Sequence, residues 1–472
     1  MNREAVCPAL LITAPASGQG KTTVVAALAR LLARRGWRVR VFKCGPDFLD
    51  PFWHQLASGT PVHNVDLWMT GEADIRARLQ AAAQDADVIL VEGVMGLHDG
   101  TPSAADIARR FGLPVLAVVQ AGAMAQTLGA IAHGLRGYRQ DSNGRLPWAG
   151  VLANGVASDG HAALLRGSID PPESWLGHLP KSDAMHLPER HLGLVAAHEL
   201  GQASALARLD AAADLLEATP LGRLSLDDWR ARWAVAFQTP TAASGPPLLA
   251  GRTVAVARDA AFAFIYAANV ETLQALGARV AFFSPLAGDA LPECDALWLP
   301  GGYPELHAAT LAARTGLKQA LHAHADAGKP IWAECGGMMA LFDELVALDG
   351  TPHALWGLLP GRTEMQQKLA GLGMQALALG EPAEAQGADD AAPPALRGHS
   401  FHYSRCDTAL PPIAHTVPAP GSIRRQGEAV YAGGPRGNVR GSYFHAWFAS
   451  SPAATAALFS SQIGLLHFQD QR

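Results

Sequence analysis

Apolar residues recur along the chain with two periods, and the alternation between them predicts the fold. Ala9–Thr13 is a short apolar run that ends in a Pro/Ser/Gly loop. Thr22–Arg35 then carries apolar residues at helical spacing, with basic residues in its last turn and Gly36 as its stop. Val39–Phe42, Asp87–Val91, Val115–Val119 and Gly150–Ala153 are near-continuous apolar runs, the pattern of parallel strands buried on both faces. Strands separated by helical stretches build βαβ units. A second series restarts with strands at Thr253–Ala257, Val280–Phe283, Ala296–Leu299 and Ile331–Ala333, and a helix over Val270–Leu276. The fold class expected is α/β, as two doubly wound, mostly parallel-sheet domains. Residues 1–237 form the first and 251–472 the second. The Pro/Ser/Thr/Gly-rich stretch 238–250 is the linker, and 380–394 reads as a low-complexity surface loop.

Composition narrows the function classes. Of the 472 residues, 49% are hydrophobic and 17% charged, which excludes a disordered chain. Lys and Arg total 37 against 42 Asp and Glu, a net charge of -5, so no broad basic face for nucleic acid is expected. The five cysteines are widely spaced with no CxxC pair, which argues for a reducing compartment and against a disulfide framework or a zinc site. With no apolar stretch long enough to span a bilayer and no signal-peptide pattern at the N-terminus, the expectation is a cytoplasmic protein.

Residues 14–23, APASGQGKTT, sit between a predicted strand and a predicted helix, the setting of a phosphate-binding loop. Ser17, Gly18 and Gly20 allow backbone N–H groups to close around phosphate oxygens, and Thr23 continues into the helix whose N-terminus favours an anion. Lys21 is placed to reach the β/γ-phosphates of ATP, and Thr22 to ligate Mg2+. The strict spacing asks for glycine at position 15, where this chain has Pro15; the loop is a variant with one extra residue.

Acidic residues follow the predicted strands. The loop GPDFLDP supplies Asp47 and Asp50, the strand DVILV ends in Glu92, and VMGLHDG adds Asp99. Ligands in open parallel sheets bind at strand C-termini, and Mg2+ takes oxygen ligands. Thr22, Asp47 and Glu92 are therefore the candidate metal residues. A single Asp in a Gly/Pro loop is equally explained by turn chemistry. Asn154 ends a later strand and either meets the adenine edge or serves the turn before Gly155.

Three segments of the second half define another site: LPGGYPE (299–305), PIWAECGG (330–337) and GSYFHA (441–446). Cys335, between a strand and a helix, is a nucleophile elbow whose thiol the helix N-terminus is expected to acidify. The N–H groups of Gly302 and Gly336 suit an oxyanion hole. His445, distant in sequence, is the candidate base. The competing readings are an inert buried thiol and a core histidine between Phe444 and Trp447.

With these residues in view, the second half resembles the class I glutamine amidotransferases in their cobyrinic-acid-synthase branch, and the first half the dethiobiotin-synthetase-like ATPases. Joined in this order, with KCGPDFLDP, EGVMGLHDG, LPERHLGLV, LPGGYPE, ECGGMM, GHSFHYSR and GSYFHAW, they resemble the cobyrinic/hydrogenobyrinic acid a,c-diamide synthase family over nearly the whole chain. The resemblance implies an ATP-dependent ligase of cobalamin biosynthesis. It phosphorylates the c and a carboxylates of a corrinoid and displaces phosphate with ammonia from glutamine. Lys21 and Thr22 then serve phosphate binding, and Asp47, Glu92, Asp50 and Asp99 the Mg2+ and substrate carboxylate. Cys335 is the glutaminase nucleophile and His445 its base. Class I enzymes usually carry a Glu two residues after that His; here it is Trp447, a departure this branch shares, so a Cys–His dyad is expected. A homodimer is implied by ATPase-fold relatives. Two alternatives stay open. One is an amidoligase for another tetrapyrrole (a cobyric acid synthase or nickel-sirohydrochlorin a,c-diamide synthase). The other is a nucleotide-gated switch ATPase with a degenerate amidotransferase module, although the early signature lysine of that class is replaced by Ala16.

Overall fold

The computed structural model describes residues 4–139, 144–190, 193–194, 201–238, 245–379, 395–422 and 426–460. The 380–394 segment, residues 239–244 of the linker and part of LPERHLGLV lie outside the described residues. The chain divides into two compact units, Met1–Ala242 and Ala243–Arg472.

In the first unit, strands β1 (Ala5–Thr13), β2 (Val39–Cys44), β3 (His63–Val65), β4 (Val88–Glu92), β5 (Val115–Gln120), β6 (Trp148–Val156) and β7 (Trp175–Pro180) form a parallel sheet in the order β3-β2-β4-β1-β5-β6-β7. β8 (Glu189–Arg190) and β9 (Gly193–Leu194) make a separate small pair. β10 (Ala234–Phe237) runs antiparallel to the start of β1, with Pro8 opposite Ala234. Nothing in the periodicity signals β10, because four alternating residues after a helix are too few to stand out from a helix end.

The strands are apolar throughout because both sheet faces are covered. On one face helix α1 (Lys21–Arg34), helix α2 (Leu49–Ser58) and the helices Gln202–Glu217 and Leu226–Trp233 pack over Leu10, Ile12, Val41 and Leu90. On the other, the helices Glu72–Asp85 and Ala104–Phe111 cover Leu11, Phe42 and Val91. Helix α1 begins one residue earlier than the apolar pattern predicts, at Lys21, since Gly20 in the left-handed conformation (φ 87°) already closes the phosphate loop.

In the second unit, β11 (Thr253–Ala257), β12 (Arg279–Phe283), β13 (Ala296–Leu299) and β14 (Ile331–Glu334) are parallel, as the apolar runs predict. The Cys335–Phe459 region adds antiparallel structure that the sequence pattern did not reveal. β15 (Phe342–Val346), β16 (Pro352–Ala354), β17 (Leu359–Met365) and β20 (Ser404–Asp407) form one four-stranded sheet. β18 (Gly371–Ala378), β19 (Ala395–His402), β22 (Val417–Pro418) and β25 (Phe444–Trp447) form another. β21 (Ala414–His415), β23 (Ala429–Gly433) and β24 (Val439–Ser442) extend the parallel sheet, whose order is β12-β11-β13-β14-β24-β23-β21. Half-exposed strands such as β17 lack the apolar runs used to find the parallel ones. No helix among the described residues is long and apolar enough to cross a membrane.

Candidate active sites

The phosphate loop lies between the C-terminal end of β1 and α1. Gly18 and Gly20 both have positive φ (75° and 87°), a conformation that costs glycine nothing. Asn154, at the end of β6, donates through Nδ2 to the Gln19 carbonyl at 3.1 Å, and the Gln120 amide donates to Gln19 Oε1 at 2.8 Å. A Cβ on Gly20 would come within 2.5 Å of Asn154 Nδ2. Asn154 is thus a prop for the loop, and its amide is engaged there. Lys21 curls back to donate to the Ala16 carbonyl at 3.1 Å, which poises its ammonium over the loop. Burial lowers its affinity for a proton, against the opposing pull of Glu92.

The acidic residues divide into two kinds. Asp47 Oδ1 accepts from the Leu49 amide (2.7 Å) and caps the start of α2. Asp99 Oδ2 accepts from the Gly96 amide (2.8 Å). Both shape their own loops. Glu92 and Asp50 converge instead on Lys43, which projects from β2 and is almost fully buried. Its Nζ lies 3.0 Å from Glu92 Oε1 and also pairs with Asp50. Glu92 Oε1 accepts from Thr22 Oγ1 at 2.8 Å, and its other oxygen meets His54 Nε2 of α2. Burial opposes the charge on Glu92, but Lys43, His54 and Thr22 prevail and hold it down at about 2. Burial likewise opposes the charge on Lys43, and Asp50 and Glu92 offset it, keeping the ammonium protonated. Burial and Asp47 push Asp50 well above the ordinary carboxylate range despite Lys43, so within this cluster Asp50 takes up a proton first.

Lys43 and His54 were missed in the sequence. The available signal was a lone lysine in the apolar strand VRVFKC. Among the described residues no group of three or more His, Cys, Asp or Glu is arranged as a metal cage. Mg2+ bound to phosphates needs only one or two protein ligands, however, and the Thr22 hydroxyl beside the ionised Glu92 fits that demand.

In the second unit, Cys335 follows β14 with φ 44° and ψ -108°, a strained conformation for a residue with a Cβ. Its amide donates to the Ser442 carbonyl at 2.7 Å, which ties the elbow to β24. A Cβ on Gly336 would reach Gly302 N at 3.0 Å and Pro304 Cδ at 2.7 Å, so the two candidate oxyanion segments are in close apposition. A Cβ on the adjacent Gly301 would lie 2.3 Å from His445 Cε1. The Gly301–Gly302 backbone therefore touches both the elbow and the imidazole.

The expected acidification of Cys335 is corrected by its surroundings. Burial and the nearby Glu305 push the thiol up, and the Gly336 amide is the one favourable group against them. The helix beyond it spans only Gly336–Leu341, and a completely enclosed thiolate loses more hydration than one turn restores. His445 is pushed well below its usual range, by burial first and then by His399 and His402. At rest both members of the pair are uncharged.

His445 sits on β25 directly opposite His399 of β19, with ring centroids 4.9 Å apart and planes 16° from parallel. Tyr266 Oη lies 3.1 Å from His399 Nδ1. Glu334, the residue before Cys335, is wholly buried. Its Oε1 accepts from Trp332 Nε1 (2.9 Å) and the Ala446 amide (3.2 Å). His399 lies in GHSFHYSR and Glu334 in PIWAECGG, both noted in the sequence, whereas Tyr266 comes from a segment that gave no signal.

A nucleotide-binding domain fused to a Cys/His amidotransferase domain defines a glutamine-dependent amidating ligase. Residues 10–195 match the CobQ/CobB/MinD/ParA nucleotide binding domain, and residues 253–453 the CobB/CobQ-like glutamine amidotransferase domain. The chain is 53% identical to the hydrogenobyrinate a,c-diamide synthase of Stutzerimonas stutzeri (strain A1501), over 96% of this chain and 98% of that one. It is 51% identical to the protein of the same name from Pseudomonas aeruginosa, over 97% and 98%. The cobyrinate a,c-diamide synthase of Herminiimonas arsenicoxydans is 49% identical over 96% and 97%. The chain belongs to the cobyrinate/hydrogenobyrinate a,c-diamide synthase family.

Proposed function

We propose that this chain uses ATP and glutamine to convert the a and c carboxylates of hydrogenobyrinic or cobyrinic acid to amides. An acyl phosphate forms in the first domain, and ammonia is released at Cys335 in the second. The observation that carries the first half is the buried Thr22–Glu92–Lys43 cluster next to the Lys21 loop. A carboxylate resists amidation because oxide is a poor leaving group, and transfer of the γ-phosphoryl group supplies a better one. Positioning and charge neutralisation dominate such transfers. Lys21 and the loop amides bind the phosphates, and Lys43 faces the incoming carboxylate with a charge already in place. Mg2+ would be held by Thr22 and Glu92, and supplies further neutralisation of the phosphate oxygens.

The second domain supplies the nitrogen. His445 takes the Cys335 proton as sulfur attacks the glutamine carboxamide carbon. The Gly302 and Gly336 amides stabilise the oxyanion. Collapse expels ammonia, with the proton returned by His445, and water then hydrolyses the glutamyl thioester. The same reading includes a homodimer in the cytoplasm.

The test is incubation of the protein with ATP, Mg2+, amide-labelled glutamine and each acid in turn, followed by mass spectrometry. Two successive label incorporations into one of the acids are expected, and the preferred acid tells whether the ring carries cobalt. Turnover of glutamine and ATP with neither acid labelled would move the substrate to another macrocycle. A C335A variant should lose amidation with glutamine and retain it with ammonia, whereas K21A should fail with both.

A further inference from the structure

The reading of His445 as a base leaves open what holds its ring, because Trp447 occupies the position where the resembled class I enzymes carry an acid. Trp447 is fully buried and packs edge-on against Tyr266, with centroids 5.0 Å apart. Tyr266 in turn reaches His399, and the His399 ring lies flat on His445. Three rings from three segments thus form a continuous chain of contacts behind the imidazole, of which only His399 lies flat against it. The strand that carries it is fixed separately. Asn269 Nδ2 donates to the Ala446 carbonyl, and the Phe448 amide donates to Asn269 Oδ1, both at 2.8 Å.

We infer that Tyr266 and His399 are positioning residues for His445: the tyrosine hydroxyl fixes the His399 ring, and the face of that ring fixes the plane of the catalytic imidazole. This rests on the assignment of His445 as the glutaminase base. We assign the Tyr266 O–H as donor to His399 Nδ1, which leaves the His399 proton on Nε2. Burial drives His399 down to about 3, so the ring remains neutral through the working range. A neutral ring stacked on His445 permits the imidazolium that forms when Cys335 gives up its proton, whereas a charged one would oppose it. The arrangement supplies plane and electrostatic tolerance without a third carboxylate.

The other titratable groups around His445 come from every packed element. His402 lies on β19, Glu334 and Cys335 follow one another at the end of β14, and Glu305 is in the 299–305 segment. His402 Nε2 is held by Glu428 Oε1 at 3.2 Å, and Ser400 Oγ by the same oxygen at 2.8 Å.

The experiment measures glutamine-dependent kcat and KM against pH for the full-length protein and for Y266F, H399Q, the Y266F/H399Q double variant, N269A and H445A. Loss of one hydrogen bond at the stack should lower kcat in Y266F by roughly three- to tenfold. The KM for glutamine and ammonia-dependent amidation should stay unchanged. Burial alone holds His399 down, so the kcat–pH profile of Y266F should keep its shape as its height falls. The double variant should lose no more than H399Q alone, because the hydroxyl acts only through that ring. N269A, which loosens the strand as a whole, should change KM as well as kcat. A wild-type kcat in Y266F beside an inactive H445A would overturn the positioning role. So would losses in Y266F and H399Q that multiply in the double variant, or a KM for glutamine that rises in Y266F as kcat falls. Full activity in H445A would overturn the base assignment and the inference with it.

Discussion

Replacing Glu334 by glutamine should abolish a pH dependence built into the second domain. Glu334 is wholly buried between Trp332 and the β25 backbone, and burial lifts its carboxyl from 4.5 to about 8 against the hydrogen bonds from Trp332 and Ala446. In the unfolded chain the same group ionises near 4.5. Below that pH both states hold the proton and the group has no effect. Between 4.5 and 8 the unfolded chain has released the proton while the folded domain keeps it, so stability falls as pH rises. Above 8 the loss is complete, at about 5 kcal/mol given ~1.4 kcal/mol per tenfold change in proton affinity. E334Q preserves an acceptor for both N–H groups and cannot ionise. Hydrogen exchange of the β14 amides, read by mass spectrometry and corrected for intrinsic exchange, measures the opening free energy where the group lies. Wild-type protection should fall by roughly a thousandfold between pH 5 and 9, and E334Q should vary by less than about tenfold. Parallel curves for the two proteins would refute the claim that a buried proton on Glu334 controls this strand.

Three further outcomes follow from the same contacts. K43M leaves Glu92 and Asp50 buried without their cation, and urea unfolding should show the first domain destabilised by about 3–5 kcal/mol; a loss below ~1 kcal/mol would mean the carboxylates simply take up protons. Glu92 is depressed to about 2, so its contribution is present above about 4.5 and is lost as pH falls from there toward 2. In E92Q the acid-side decline in first-domain stability should flatten over that window, as followed by urea unfolding at stepped pH. G301A places a methyl group 2.3 Å from His445 Cε1. Displacing the ring by about 1 Å should lower glutamine-dependent turnover about a hundredfold, while assays with ammonia should show the synthetase reaction intact.

The parallel strands were legible because burial on both faces leaves an apolar run with clear ends: β11 and β13 begin and end where the pattern places them. The strand–turn–helix settings of the phosphate loop and of Cys335 were legible because such a unit demands particular residues at fixed places. The strands β15 to β23, most of them paired antiparallel, were not, since several are short or half-exposed and carry no single period. The supporting residues were the hardest to read. Lys43 lies in a strand interior, where a charge ordinarily argues against burial. Its partners Glu92 and Asp50, and the His54 that meets Glu92, come from two other elements, and only the fold brings them together. His399 and His445 are 46 positions apart and become neighbours solely through the β19–β25 register.

The two sites handle buried charge in opposite ways, and the difference matches the chemistry proposed for each. In the first domain the charges exist before any substrate arrives: Lys43 and Glu92 are ionised and satisfy one another. A site that receives anionic phosphates and a carboxylate gains from fixed charges, since no reorganisation is then needed as phosphoryl transfer proceeds. In the second domain Cys335, Glu334, His445 and His399 are each pushed toward the neutral form. Burial raises Cys335 and Glu334 and lowers His445 and His399. On the proposed mechanism a thiolate–imidazolium pair is then created during attack, and the glutamine carbonyl seated against the Gly302 and Gly336 amides is what stabilises it. An uncharged resting pair is a poor hydrolase on its own, which is the property wanted if its product is useful only when the proposed acyl phosphate is waiting for it.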